Sequence, residues 1–506
     1  MKQKKLSIKT NYIFNLIATL VTLLAPFITT PYVSRVFNAS LLGTNSYIST
    51  VSTIFVIVST FGFYIFGQRE ISKYWDDKEK ISSIFFSVFI CRLALTFLCS
   101  CLYLIVFFLS DKNVLYIIYL FSIVHVAFDC GFLFAGLQKF KFISIVSIAV
   151  RIISCVSIFI FIKSVDDIWI YAVITVFNII ASSIIIFIFS FKEIKFIKPT
   201  MGELKYTFMG SLKLFLPTIA ISIFTLFDKL LIQWLSFGTS IITVNGVETS
   251  VSNASLESGF YVQADSIISI CLTIIYSLQS VMISKNAEEI KKGNIDCVFR
   301  NMYKSNQFIS FITVPMTIGL LVIAPCFCTV FFGDGYDKCS VLIQIASISF
   351  IFSGFHSMIG NHYLIASEKE RIYTIALFSG GFVNIILNLI LIPFHGAIGA
   401  MIATIIGKFL ISLLTYMFTK KEINYSSYFF NYLKCLIPSG IMGSVLIFEW
   451  LFIFKKIPSI SSLLVLVLSG VLIYLCVTTM MKGNILKEEW NKYFPKLQKY
   501  LREDED

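Results

Sequence analysis

The chain has 506 residues, of which 57 % are hydrophobic and 14 % charged, with a mean hydropathy of +0.84. These values exclude a soluble domain: apolar runs of eighteen or more residues recur along the whole length, each long enough to cross a bilayer as a helix. The net charge of +12 sits mostly in the loops between those runs, so it is no argument for a nucleic-acid partner.

Taken in order, fourteen runs read as spans, near 12–33, 44–66, 82–108, 114–134, 142–162, 168–190, 211–236, 259–284, 305–327, 340–363, 372–393, 396–418, 434–454 and 460–481. The first is too long for a cleavable signal peptide and lacks a small-x-small cleavage site. Its Pro26 and Pro31 predict a break or kink in the outer half, tolerated where neighbours or water re-satisfy the freed carbonyls. Arg35 and a turn at Asn38 and Gly43 follow, and Tyr47 lies where the next run begins. The longest loop, 237–258, is polar and holds no lysine, arginine or histidine.

Basic residues orient the bundle. Alternate loops and tails hold 31 Lys and Arg on one side against six on the other, and positively charged loops stay cytoplasmic. Both termini are therefore expected in the cytoplasm of a multi-pass protein, with the basic loops resting on anionic lipid. The twelve cysteines are scattered, most of them within spans, with no metal-ligand spacing. They read as small apolar residues of a packed bundle.

The opening unit returns at 211–261, where Pro217 precedes Asp228 and Lys229, and Gly259 and Tyr261 open the following span. FLFAGLQKFKFISIV (132–146) likewise answers YLIASEKERIYTIAL (363–377), and Ala135 to Ala172 has the same separation as Ala366 to Ala403. The second copy begins six spans after the first, an even number, so the repeat is parallel. Transporters built this way place the pathway between their halves. The expected organisation is an N-terminal lobe (1–200), a C-terminal lobe (201–420), and two further spans with a basic tail (421–506).

PFITTPYVSRVF with LLG and SY (26–47), FGQRE (66–70), FDK (227–229) and NIILNLILIPFHGAIGAMIATIIGK (384–408), in this order and spacing, resemble the Wzx-type polysaccharide-biosynthesis flippases. These share a superfamily with the MATE drug exporters and the lipid II flippases. The resemblance covers spans 1–12. It implies an all-α polytopic membrane protein of two six-helix lobes forming a V around a central cavity. It also implies alternating access that moves an undecaprenyl-diphosphate-linked oligosaccharide from the inner to the outer leaflet of a bacterial cytoplasmic membrane. Polymerase and other polysaccharide-assembly proteins are the implied partners. One departure is Asn38, where family members usually carry Gly; Asn tolerates a left-handed backbone, so the turn is expected to survive.

Charges inside the spans bear on the cargo. Arg92, Arg151 and Lys408 each lie roughly 14–16 Å from an interface at 1.5 Å per residue. Each costs about 2.5–3.5 kcal/mol at mid-membrane, so each needs either a cationic cavity or a structural ion pair. A lipid diphosphate suits such a cavity, since arginine offers it a bidentate fork. Arg35 and Lys229 lie nearer the outer mouth and can bind the same headgroup or snorkel outward. The acidic residues of the spans, Asp129, Asp228, Asp265 and Glu449, are the available ion-pair partners. Asp228 is also a candidate for cation coupling. His125 and His356 are candidate protonation switches, or hydrogen-bonded members of the bundle. Asn384 and Asn388 share one helical face, to line a sugar path or to join neighbouring helices.

No cofactor and no metal are expected; H⁺ or Na⁺ coupling and the membrane potential stay open as energy sources. A MATE-like exporter of organic cations would need carboxylates and aromatics as its dominant lining, the reverse of this charge bias. Lipid II transport shares the diphosphate anchor and stays open. A membrane enzyme would need an acid, base or nucleophile constellation, and the sequence shows none, so the chain reads as a transporter.

Overall fold

The computed structural model describes residues 8–74, 77–244, 247–276, 279–454 and 459–481. The chain divides into two compact units, Met1–Gly259 and Phe260–Asp506. Among the described residues, thirteen helical stretches are long and apolar enough to cross a membrane. The remaining expected span, 211–236, lies on a 35-residue helix, Met201–Leu235, whose C-cap is Ser236.

The first unit runs through α1 (Ile8–Val36), α2 (Ala39–Thr60), α3 (Phe63–Lys73), α4 (Lys78–Leu109), α5 (Val114–Phe128), α6 (Gly131–Gly136), α7 (Phe140–Phe161), α8 (Ile168–Ser190) and α9 (Met201–Leu235). Strands β1 (Thr239–Val244) and β2 (Val247–Ser252) follow, and then α10 (Asn253–Tyr276), whose first turns belong to this unit. Two apolar cores hold it together. Phe61, Phe63, Phe66, Phe85, Phe132 and Phe215 build one, and Ile48, Tyr103, Tyr119, Ile123 and Leu230 build part of the other.

Three sequence expectations change here. The α1 helix continues through Pro26 and Pro31 without a break. The Ala25 carbonyl accepts from the Thr29 hydroxyl at 3.1 Å and from the Cys155 thiol of α7 at 3.9 Å, a contact that ties α1 to α7. Asn38 is extended (φ −76°, ψ 165°) rather than left-handed, and its side chain caps α2 by accepting from Leu41 N at 2.9 Å. The 237–258 loop contains an antiparallel hairpin, pairing Thr239 with Ser252 through to Val244 with Val247. Asn245–Gly246 between two β-rich stretches is the sequence signal for that hairpin.

The repeat-related glycines serve a close approach. A Cβ on Gly43 of α2 would lie 1.7 Å from the Ser255 carbonyl oxygen, and one on Gly259 would lie 1.8 Å from that of Ala39. The first turns of α2 and α10 therefore touch backbone to backbone, and the Thr44 hydroxyl donates across the contact to Ser255 Oγ at 3.1 Å.

The second unit continues from α10 through α11 (Gln279–Lys291), α12 (Ile295–Phe331), α13 (Asp337–Ser347), α14 (Ser349–Ile359), a π-helical turn (Gly360–Ile365), α15 (Glu370–His395), α16 (Ala397–Thr419), α17 (Ser426–Glu449) and α18 (Ile460–Met480). The duplication is visible in its backbone. In the first unit Lys139 N donates to Phe134 O and Gln138 N to Ala135 O; in the second Lys369 N donates to Leu364 O and Glu368 N to Ile365 O. Each is a Schellman helix end closed by a non-glycine residue at positive φ, Gln138 (56°) and Glu368 (59°). These turns pair 139 with 369, so at this point the register differs by one residue from the pairing of Ala135 with Ala366.

Candidate functional site

The most buried charge among the sequence candidates is Arg92 on α4, 1 % exposed. α5 stops at Asp129, which is extended (φ −72°, ψ 92°), and α6 restarts at Gly131. A helix interruption leaves backbone carbonyls without intrahelical donors, and Arg92 fills that need. Its Nη1 donates to the Asp129 carbonyl, and its Nη2 donates to the Asp129 carboxylate at 3.3 Å. The other carboxylate oxygen accepts from Gly131 N at 3.1 Å. The guanidinium carbon stands 5.9 Å from the Phe132 ring centroid. Two of the three guanidinium nitrogens are thus engaged with one residue, and the pair is neutral.

His125 lies one turn before Asp129, and its Nδ1 meets the Ser122 carbonyl. Tyr64 of α3 borders the same place, since a Cβ on Gly131 would sit 3.2 Å from its ring and 3.2 Å from Asp129 Oδ1. Arg92, Asp129 and His125 are therefore one cluster. Tyr64 and Phe132 belong to it too, and no charge or spacing in the sequence marked them.

Arg151 of α7 is half-buried, on a helix face shared with Ser144, Ser147 and Ser154. Among the described residues it forms no ion pair and no hydrogen bond. Asn178 of α8 instead donates to Ser154 Oγ at 2.9 Å. Arg35 is exposed in the last turn of α1, where the helix dipole favours a cation. On α9, Asp228 is buried (2 % exposed) and Lys229 half-buried.

In the second unit several buried side-chain contacts are between neutral groups. Asn384 and Asn388 are both fully buried on α15; Asn388 Nδ2 donates to Asn384 Oδ1 and Asn384 Nδ2 to Thr404 Oγ1 of α16, each at 3.3 Å. His356 Nδ1 lies 3.2 Å from the Tyr373 hydroxyl. Lys408 is half-buried on α16, with Nζ 3.4 Å from Ser349 Oγ. Asn301 Nδ2 donates to Asn286 Oδ1 (3.0 Å), and Asn286 Nδ2 donates to the His362 carbonyl in the π-helical turn (2.7 Å).

Outside the spans, the two Schellman turns carry equivalent ion pairs that the sequence reading missed. Lys139 Nζ reaches Glu193 Oε1 at 2.6 Å just past α8, and Lys369 Nζ reaches both oxygens of Glu422 at 2.7 and 2.8 Å just past α16. The Tyr363 hydroxyl also donates to Glu422. The hydrogen bond to Glu422 raises the Lys369 pKa above its ordinary value. Partial burial pulls Glu422 upward, but the bonds from Lys369 and Tyr363 outweigh it and leave the carboxyl below the usual range.

The profile of the polysaccharide biosynthesis protein family matches residues 8–283, more than half of the chain. The chain belongs to that family. An Escherichia coli (strain K12) protein named as an O-antigen transporter is 22 % identical over 441 residues, which are 83 % of this chain and 99 % of that one. Lipid II flippase MurJ of Bacillus subtilis (strain 168) is 24 % identical over 234 residues, 42 % of each chain. Among solved structures, a lipid II flippase MurJ in an inward closed conformation superposes with a TM-score of 0.70 at 17 % identity, covering 93 % of this chain and 98 % of that one. An inward-facing MATE family transporter of the MOP superfamily gives 0.60 at 13 % identity over 80 % and 94 %. The family member described here is thus a nearly all-helical, multi-pass membrane protein of the MOP-type fold.

Proposed function

We propose that this family member translocates an undecaprenyl-diphosphate-linked oligosaccharide from the cytoplasmic to the outer leaflet for surface polysaccharide assembly, by alternating access and without catalysis of its own. In this reading both termini are cytoplasmic, as the 31-to-six charge bias requires. The observation that carries the cargo assignment is Arg151. It is a half-buried guanidinium in a spanning helix with no ion-pair partner among the described residues, a charge that persists at this depth only with a use. A diphosphate offers it bidentate charge-assisted hydrogen bonds. Lys408, Arg35 and Lys229 are the further cations proposed to meet the headgroup, and Asn384 and Asn388 are proposed to act near the sugar path. Coupling to H⁺ or Na⁺ falls to Asp228, His125 or His356.

Arg92 has a different part in this account: bound to Asp129, it holds the helix interruption that shapes the unit. Lipid II is the second candidate cargo, favoured by the MurJ relative and by the shared anchor. The two are separated by depleting the protein in cells and treating spheroplasts with an external glycosidase and, in parallel, an external lipid II-cleaving toxin. The proposal expects lipid-linked oligosaccharide to accumulate protected from the glycosidase while lipid II exposure is unchanged. Loss of lipid II exposure alone would move the cargo to lipid II.

A further inference from the structure

Spans 13 and 14 stand outside the duplication, and the transport reading gives them no task. The turn that leads into them forms an open recess of about 470 Å³, with Tyr416, Lys420, Lys421, Glu422, Tyr425 and Phe429 in its lining. Two exposed lysines, Lys420 and Lys421, stand there against one lining carboxylate. Glu422 is bound by Lys369 and by the Tyr363 hydroxyl. Lys420 and Lys421 form no ion pair or hydrogen bond through their side chains among the described residues. By contrast, Lys73, Lys139 and Lys292 are bound by Glu70, Glu193 and Glu288.

The recess lies where α16 ends and α17 begins, and its aromatic wall continues into an apolar strip. Phe429, Phe430, Leu433, Leu436 and Ile437 are all exposed along one side of α17. Lys434 lies on the same stretch with Nζ 4.8 Å from the Phe430 ring centroid. A lysine eight residues into a spanning helix keeps its stem on apolar surface and extends its ammonium toward the headgroups. A cationic recess joined to an outward apolar strip matches one ligand shape, a phosphate headgroup with acyl chains below it.

We propose that this recess binds the phosphate of an anionic glycerophospholipid, with Lys420 and Lys421 on the phosphate, Lys434 at its lower edge and the acyl chains along α17. The leaflet is the inner one if the orientation proposed above holds; the binding itself does not depend on the transport reading. Its consequence is that α17, a helix outside the repeat, is anchored to the lipid beside it.

The test uses the full chain in detergent, with bound lipids counted by native mass spectrometry during titration with phosphatidylglycerol or phosphatidylcholine. A photoactivatable phosphatidylglycerol maps the position. The expected result is one phosphatidylglycerol held more tightly than the rest, with the label on the peptide spanning 416–437. The Lys420→Gln/Lys421→Gln pair should weaken that first molecule by about 10- to 30-fold, the weight of two surface lysines on an anionic lipid, while Lys420→Arg/Lys421→Arg retains it. Inorganic diphosphate at millimolar concentration is the soluble arm. Displacement of the label shows that phosphate is the group recognised, and no displacement with the label in place shows that the acyl chains are required as well. Equal retention of phosphatidylcholine, an unchanged first molecule in the glutamine pair, or a label outside 416–437 would each overturn the proposal.

Discussion

At residues 129–131 the first unit interrupts a helix and fills the gap with a buried guanidinium; at 360–365, starting in the corresponding place by the paired Schellman turns, the second unit adopts a π-helical turn. Both irregularities leave backbone carbonyls in need of a donor. In the first unit Arg92 supplies it from α4 and brings a compensating carboxylate, Asp129, in the same motion. In the second the donor is the neutral Asn286 amide, itself held by Asn301, while Tyr373 covers Gly360 so closely that a Cβ there would lie 2.3 Å from the ring. The duplication thus preserved a backbone irregularity and let its chemistry diverge. A charge serving a structural carbonyl must bring its own counter-charge, and an amide need not.

That difference can be broken from the charged side first. Asp129→Ala leaves Arg92 buried without its counter-ion, and removing one partner of a buried pair costs about 3–5 kcal/mol. Because the Asp129 side chain is 29 % exposed, the lower end is expected, read as a drop in thermal unfolding midpoint in detergent. Adding Arg92→Met to that variant removes the stranded charge and should recover most of the loss. No recovery would mean that the Arg92 bond to the Asp129 carbonyl, not the charge balance, dominates.

The neutral side should break more gently. Asn286→Ala strands the His362 carbonyl and one Asn301 donor, at about 1–3 kcal/mol for a buried unsatisfied group, measured by the same unfolding midpoint. A loss as large as that of Asp129→Ala would erase the distinction drawn here.

The ion pairs at the two Schellman turns should matter least. Lys139→Ala and Lys369→Ala are each expected to cost about 0–1 kcal/mol, with Lys369→Ala nearer zero because Glu422 is the more exposed carboxylate. The Lys369–Glu422 pair has a predictable pH window. Glu422 lies below its ordinary pKa, so its contribution is complete above the usual glutamate range and fades as the pH falls through the depressed value. Lys369 lies above its ordinary value, so on the alkaline side the contribution is complete below it and fades as the pH rises through the raised one. Unfolding midpoints of Lys369→Ala and the parent protein should therefore converge at both extremes. A gap that stays constant from acid to base would contradict the pair.

Much of the architecture was legible in the sequence because membrane spans announce themselves by length and apolarity, and the repeat by motif order. Its register was not, since the Schellman turns at Gln138 and Glu368 are fixed by backbone geometry that alanine matching misplaces by one residue. The hairpin at 239–252 was written in its Asn-Gly signal but hidden by its place in a polar loop. In the site, depth in the span marked Arg92 as a charge needing either a cavity or an ion pair, and Asp129 was among the partners named for it. Depth alone does not say whether such a charge faces a neighbour or a pathway, and here a helix end created the neighbour. Tyr64, Asn286 and Tyr373 were illegible because uncharged partners leave no mark in charge patterning.

The measurement that bears most directly on the cargo is made in reconstituted vesicles carrying a labelled undecaprenyl-diphosphate oligosaccharide in both leaflets, following the fraction open to an external glycosidase over time. Parent protein, Arg151→Ala and Arg151→Lys are compared at matched amounts of folded protein. The account predicts faster exposure with the parent, near-complete loss with alanine and partial retention with lysine, which keeps the charge without the fork. Exposure by Arg151→Ala at the parental rate would contradict the assignment of Arg151 to the diphosphate. Organic-cation uptake by the parent in place of glycan exposure would contradict the flippase reading itself.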